Sequence, residues 1–281
     1  MKADVFIPSV FKDLNKVEFV VNQLVKHCPD IADIHICMPD KTGTTEHEVE
    51  GHKIIYHNDF DVLTPMKEFI RFIRFRPNWI HQQLLKLCQR VTKTEYYYVI
   101  DADIMPTREL RLERNGKPVL FTRTNPRDEM AFNRFIAKAT GGDLATWSEE
   151  EYAETKFISD MQLFKREWVD EMIMRYFHSA EEFMLFTCMN TYWRNTPNAR
   201  RDSIFISEYI MYSLYVEKYH GKEVEVVYAD TKQIDKGQFS QMAQTFGKDE
   251  IEAELKETER LERGFLKLQS NCGMSDVKYA V

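Results

Sequence analysis

The chain has 281 residues, of which 43% are hydrophobic and 13% aromatic, with 19 Phe, 13 Tyr and only 10 Gly. That content is enough for a substantial core and excludes a disordered chain, and the low glycine favours a helix-rich fold over a turn-punctuated all-β one. A net charge of −7 argues against nonspecific nucleic-acid binding, which needs a basic surface.

Val5–Val10 reads as a first strand ending in a loop, and residues 14–27 as a helix with Val17, Val20, Val21, Leu24 and Val25 on one stripe. Ile34–Met38 is a second strand, followed by a polar loop through Thr45, and Lys53–His57 is a third. A helical region over about 65–91, broken near Pro77, leads into the strand Tyr96–Ile100. This alternation indicates an α/β fold with a mixed, mainly parallel sheet flanked by helices. Pro118–Thr122 follows a turn at Asn115-Gly116, and residues 125–156 are mixed, with a loop at Gly141-Gly142-Asp143. Helices are expected at 165–177, 179–189 and 206–219, and a late strand at Val224–Tyr228. The span Lys248–Leu268 carries many i,i+4 charge pairs and reads as a solvated helix. One domain, 1–281, is expected, made of a first half (1–125), a second half (126–247) and a C-terminal elaboration (248–281).

Five scattered cysteines (Cys28, Cys37, Cys88, Cys188 and Cys272), without a C-x-x-C pair, read as reduced thiols. No stretch approaches the ~20 apolar residues of a spanning helix, and no signal peptide opens the chain. A soluble cytoplasmic protein, at most peripheral to a membrane, is the expectation; the sequence leaves its oligomeric state open.

The strongest functional signal is Asp101-Ala102-Asp103, which the buried strand runs into and Met105-Pro106 closes off. Carboxylates at the C-terminal end of such a strand sit where open α/β sheets bind ligands, and two hard oxygen donors there suit Mg²⁺ or Mn²⁺ carrying a phosphate ligand. A calcium loop fails because Met105 and Pro106 stand where an oxygen donor and a glycine are needed. A haloacid-dehalogenase phosphatase would have Thr where Met105 stands.

The run Trp79–Leu87, then Tyr98–Asp103, then Ile206-Ser207-Glu208-Tyr209, resembles the GT-A glycosyltransferases over roughly residues 3–230. More narrowly, it resembles small soluble glycosyltransferase-like proteins of bacteria and large algal viruses. The resemblance implies a GT-A (Rossmann-like) fold, a nucleoside-diphosphate-sugar donor with a UDP-sugar preferred, a glycan acceptor, and Mn²⁺ or Mg²⁺ as cofactor. It assigns Asp103 as direct metal ligand and Asp101 as metal or ribose contact. Glu208 becomes the general base of an inverting transfer, and Asp160 orients acceptor or donor hydroxyls. Lys86 and Gln83 lie on the polar face of their helix with Arg90: Lys86 would meet the diphosphate or pair with the Asp101 and Asp103 carboxylates, and Gln83 would hydrogen-bond the sugar or nucleoside, although a solvated polar face explains them equally well. Ser9 and Asp59 would contact ribose and base, although turn formation explains them equally well. His178 and His220 are candidates for a third metal ligand, and Trp147, Trp168 and Trp193 for stacking on an acceptor sugar, although core packing is the commoner fate of Trp. A Glu opening a helix is also an ordinary dipole partner. The alternatives are a sugar-phosphate nucleotidyltransferase, which would want a basic, Gly-rich first loop that Pro8–Lys12 does not supply, and a noncatalytic glycan or nucleotide binder.

Overall fold

The computed structural model describes residues 1–39, 43–122, 130–144, 160–194, 203–235 and 246–269. Its main sheet is built around the strand β1 (Ala3–Pro8), with β2 (Ile31–Met38) and β5 (Tyr96–Ile100) parallel on either side. Beyond β2 lie the parallel β4 (His52–Asn58) and the antiparallel edge β3 (Thr45–Val49), and beyond β5 lies the antiparallel β9 (Met161–Lys165). The order β3-β4-β2-β1-β5-β9 is therefore a mixed sheet with four parallel strands at its centre. The chain leaves β1 towards β2 and returns on the other side as β5. That reversal opens a crevice at the carboxyl ends of β1 and β5, the place where open α/β sheets take ligands.

One hydrophobic cluster fills each face of this sheet. On one face, α1 (Leu14–His27) buries Val17, Val20, Val21 and Leu24, the stripe the sequence predicts. On the other lie α4 (Pro77–Cys88), α6 (Arg166–Tyr176), α7 (Ala180–Asn190) and α8 (Glu208–His220), preceded in the chain by the one-turn helices α2 (Asp59–Val62) and α3 (Met66–Phe69) and by α5 (Met130–Thr140). The broken helical region of the sequence is thus a series of short turns and one helix opened by Pro77. Two small sheets complete the fold. A hairpin turning at Asn115-Gly116 joins β7 (Glu113–Arg114) to β8 (Lys117–Thr122), and β10 (Glu225–Tyr228) pairs parallel with β8. Both turn residues have positive φ, as a two-residue hairpin requires.

Three expectations need correction. The polar run after Met38 contains β3, an exposed edge strand that β4 pairs with although it has no apolar period of its own. The C-terminal helix α9 (Lys248–Arg260) is not wholly solvated, because it buries Ile251, Leu255 and Thr258. It also stops eight residues early. After Glu262 at φ +54 and Gly264, the chain becomes the fully buried strand β12 (Phe265–Gln269), which runs antiparallel to β6 (Ile104–Pro106) and parallel to β11 (Thr231–Asp235). Cys28, Cys37, Cys88 and Cys188 are buried free thiols, and Cys272 lies outside the described residues. Among the described residues no helix is long and apolar enough to cross a membrane.

Between the sheet and α4 runs a line of histidines, of which His35 and His81 are buried and His57 half-buried. His35 Nδ1 lies 3.0 Å from His57 Nε2 and its other nitrogen 3.8 Å from Asp4, while His81 Nδ1 lies 3.6 Å from Asp59. Burial holds all three below the ordinary 6.5, with His57 and His81 brought to about 4. The unfolded chain binds protons at these sites near pH 6.5 and the folded chain does not. Their contribution is therefore fully present above pH 6.5 and is lost as pH falls towards 4. Urea unfolding at pH 7 and pH 4.5 should show that loss, with buried His81 contributing on the order of 2 kcal/mol, and His81→Gln should flatten the profile.

Candidate active site

The carboxylates of the Asp-x-Asp turn are held by backbone before any side chain contributes. Asp101 N–H donates to the Asp160 carbonyl at 3.0 Å, because the antiparallel register of β5 and β9 sets those residues side by side. Leu268 N–H donates to the Asp103 carbonyl at 2.8 Å, from β12. Asp160 takes φ +59 to make this junction, a conformation that non-glycine residues adopt at a cost.

Beneath the turn lies a buried ammonium. Lys86, on the inner face of α4, reaches Asp101 Oδ1 and Glu208 Oε1 at 2.6 Å each and is 1% exposed. Its ammonium also lies 4.4 Å from the ring centroid of Tyr209, whose hydroxyl donates to Asp101 Oδ1 at 2.9 Å. Tyr97 O–H donates to the Lys86 carbonyl, anchoring the helix at this turn. Burial opposes the charge on Lys86, but the two carboxylates outweigh it and raise its pKa. Burial also raises Glu208, against the pull of Lys86. Glu208 opens α8, whose N-cap Ser207 accepts from Ile210 N–H. Its Oε2 is buried and has no hydrogen-bond partner among the described residues.

A second lysine comes from a direction the sequence does not suggest. Lys267, in the middle of β12, pairs with Asp160 at 2.7 Å, and Asp160, Asp103 and Asp101 raise its pKa against the effect of burial. Lys16 on α1, paired with Asp13 at 2.7 Å, reaches the Leu268 carbonyl at 3.4 Å. Asp103 stands in the field of Lys267 and Lys16. Burial raises its carboxyl, Lys267 and Lys16 oppose that rise, and the balance stands at about 6.

Of the expected site residues, Asp101, Asp103, Asp160, Lys86 and Glu208 therefore converge. Glu208 is sealed beneath Asp101 and Lys86 at 0% exposure, so in this arrangement it does not face solvent as an acceptor-facing base would. Ser9 ends β1 at the crevice, where its N–H donates to the Cys37 carbonyl. Gln83 is buried, but it is Gln82 that donates to the Pro8 carbonyl at 3.3 Å. Asp59 stands at the end of β4, three strand spacings or ~14 Å from β5. There it accepts from Phe60 N–H and faces His81, which are structural tasks. Arg90 lies beyond the end of α4 and pairs with Asp170.

The histidines fail as metal ligands. His220 sits at the far end of α8 from Glu208, between Glu171 and Glu223 and stacked on Trp168, which uses that tryptophan too. His178 is exposed, and its N–H donates to Glu182. Trp147 lies outside the described residues. Among the described residues no group of three His, Cys, Asp or Glu side chains forms a metal cage. The donor set nevertheless fits a divalent ion shared with a ligand. The Asp103 carboxylate makes no hydrogen bond or ion pair among the described residues, and the Asp101 carboxylate uses only Oδ1. With Lys16 and its partner Asp13 included, five carboxylates (Asp13, Asp101, Asp103, Asp160 and Glu208) face three ammonium groups (Lys16, Lys86 and Lys267), an excess of negative charge that a divalent ion would balance. Such an ion takes the rest of its shell from phosphate and water.

Lys86→Met would leave Glu208 buried without its counter-charge. It should cost about 3–5 kcal/mol in urea unfolding. Lys86→Met with Glu208→Gln should recover part of that loss, a coupling that a double-mutant cycle measures.

No curated protein matches the chain. Residues 12–253, most of its length, match the profile described as Family of unknown function (DUF6492), and the chain belongs to that family.

Proposed function

We propose that the protein is a metal-dependent glycosyltransferase of the GT-A type. It moves a sugar from a nucleoside-diphosphate sugar, with a UDP-sugar preferred, to a glycan hydroxyl. The observation that supports this most is the meeting of Asp101, Asp103 and Asp160 at the sheet's reversal point, with the Asp103 carboxylate and Asp101 Oδ2 unengaged among the described residues and a fixed ammonium below. Asp103 and Asp101 Oδ2 would hold Mn²⁺ or Mg²⁺, which when bound neutralises the charge that grows on a departing diphosphate.

The chain's own groups do the positioning. Lys86 fixes Asp101 with one carboxylate oxygen occupied and the other available. Lys267 holds Asp160, which is 13% exposed in its side chain and stands ready to orient sugar hydroxyls. Ser9 at the end of β1 lines the same crevice. Glu208 would serve as the base of an inverting course at Oε2, while Lys86 holds Oε1, only once the cover over its buried carboxylate opens to the acceptor. Proton transfer there needs the acceptor hydroxyl within ~3 Å of Oε2. The burial of Glu208 favours a second reading, a glycan or nucleotide binder without transfer, and donor hydrolysis in the absence of acceptor separates the two.

Thermal-shift measurements with UDP-, GDP- and dTDP-sugars, with and without Mn²⁺, test the proposal. One donor should raise the melting temperature only when metal is present, and Asp103→Ala should abolish that rise. A metal-independent rise, or one unchanged in Asp103→Ala, overturns the assigned metal site. A rise with nucleoside triphosphate or free glycan alone overturns the transferase.

A further inference from the structure

Five aromatic side chains from four separate segments meet beside the mouth of this site. Phe75, Trp193 and Phe205 have centroids 5.2, 5.6 and 5.8 Å apart and ring planes within 27° of one another. Trp79, near the start of α4, meets Phe205 edge-on at 6.0 Å, and Phe132 of α5 closes against both. Backbone fixes this tier from behind. Tyr192 and Ile204 exchange two hydrogen bonds, Arg194 N–H donates to Ser203 Oγ, and Phe205 N–H donates to the Ala131 carbonyl. Phe205 stands three residues before Glu208, so the tier borders the N-terminus of α8 where the carboxylate site begins.

Packing accounts for Trp79 and Phe132, which lean on the main core cluster. It does not account for the cations. Arg71, Arg74 and Arg76 are exposed, and among the described residues none of them forms an ion pair with an acid, in a chain whose net charge is −7. Arg76 lies 5.1 Å from the Trp79 ring and holds φ +48 immediately before Pro77. Both features are costly for an arginine, since the left-handed region disfavours a Cβ and a following proline favours extended backbone. The partly exposed rings of Phe75 and Trp193, backed by the buried Phe205, offer faces on which the C–H side of a sugar packs, and a guanidinium beside them grips a carboxylate or phosphate with two parallel hydrogen bonds.

We propose that this aromatic–arginine tier is the acceptor subsite and that its ligand is an acidic glycan. One sugar ring rests on Phe75 and Trp193, with Phe205 supporting them from beneath, and its carboxylate, sulfate or phosphate meets Arg76. The name acceptor rests on the glycosyltransferase reading; the binding does not. An anionic membrane surface is the competing ligand, since Phe72 beside Arg71 is 41% exposed.

The test applies the full chain to an array of uronate-, sulfate-, phosphate-bearing and neutral oligosaccharides, followed by tryptophan-fluorescence titration with the best acidic ligand. Acidic glycans should be retained over neutral ones. Arg76→Gly, which suits a positive φ and so keeps the fold, should weaken binding at least tenfold, and Trp193→Ala should abolish it. Retention of no glycan, equal retention of neutral ones, unchanged binding in both variants, or preference for phosphatidylserine vesicles overturns the proposal. The donor–metal response of the unmodified protein is read in parallel. A donor response without glycan binding overturns the subsite alone. Glycan binding without any donor response supports the subsite and removes the transferase.

Discussion

The arrangement depends on one ammonium group held out of water. Removing Lys86 and its carboxylate partners from solvent costs several kcal/mol per ion, and only close, multiple contacts offset it. Those contacts come from three elements far apart in the chain: α4 supplies Lys86, the end of β5 supplies Asp101, and the first turn of α8 supplies Glu208 and Tyr209. Apolar side chains at the same place would hold the helices at least as firmly, but they tolerate sliding. Two 2.6 Å ion contacts do not, so α4 and α8 are placed in register with the end of the sheet.

The same constraint shapes the turn above. Asp101 and Asp103 are each fixed through the main chain, by the Asp160 carbonyl on one side and the Leu268 amide on the other. The backbone needs nothing further from their side chains, which leaves Asp103 and one oxygen of Asp101 unspent. Donors held in place by a frame that does not use them need little reorganisation when a ligand arrives. The frame is closed by β12, about 160 residues beyond β6, and the entropy of closing so long a loop rises only slowly with its length.

What the sequence made legible was local. The strand Tyr96–Ile100 and the stripe of α1 lie where hydrophobic period and turn residues place them, and the position of Asp101 and Asp103 follows from that strand. Lys86 was visible as part of a polar helical face. Periodicity separates faces without saying which one turns inward, and here the decision rests on carboxylates 15 and 122 residues away in the chain. Lys267 was hidden more deeply. Its strand is five residues long and buried at every position, so it shows no alternation, and a charged helix runs up to it. Gly264 was the available stop signal. His220 shows the opposite failure: a residue type suited to metal was already engaged by Glu171, Glu223 and Trp168, none of them adjacent in sequence.

Charge divides the surface around the site into two territories. The crevice has more carboxylates than ammonium groups, whereas the segment from Arg71 to Arg76 has three arginines and no acid. An anionic glycan approaching the crevice alone would be repelled by Asp101, Asp103 and Asp160. Screening at physiological salt limits that repulsion to about 8 Å, so it acts on the reacting end of the glycan and not on the part held by the arginines. Under both proposals, a donor arriving with its divalent ion cancels the local excess before the acceptor's reacting hydroxyl comes near. Electrostatics alone then favours an order in which donor and metal precede the acidic acceptor, and no moving lid is required to enforce it.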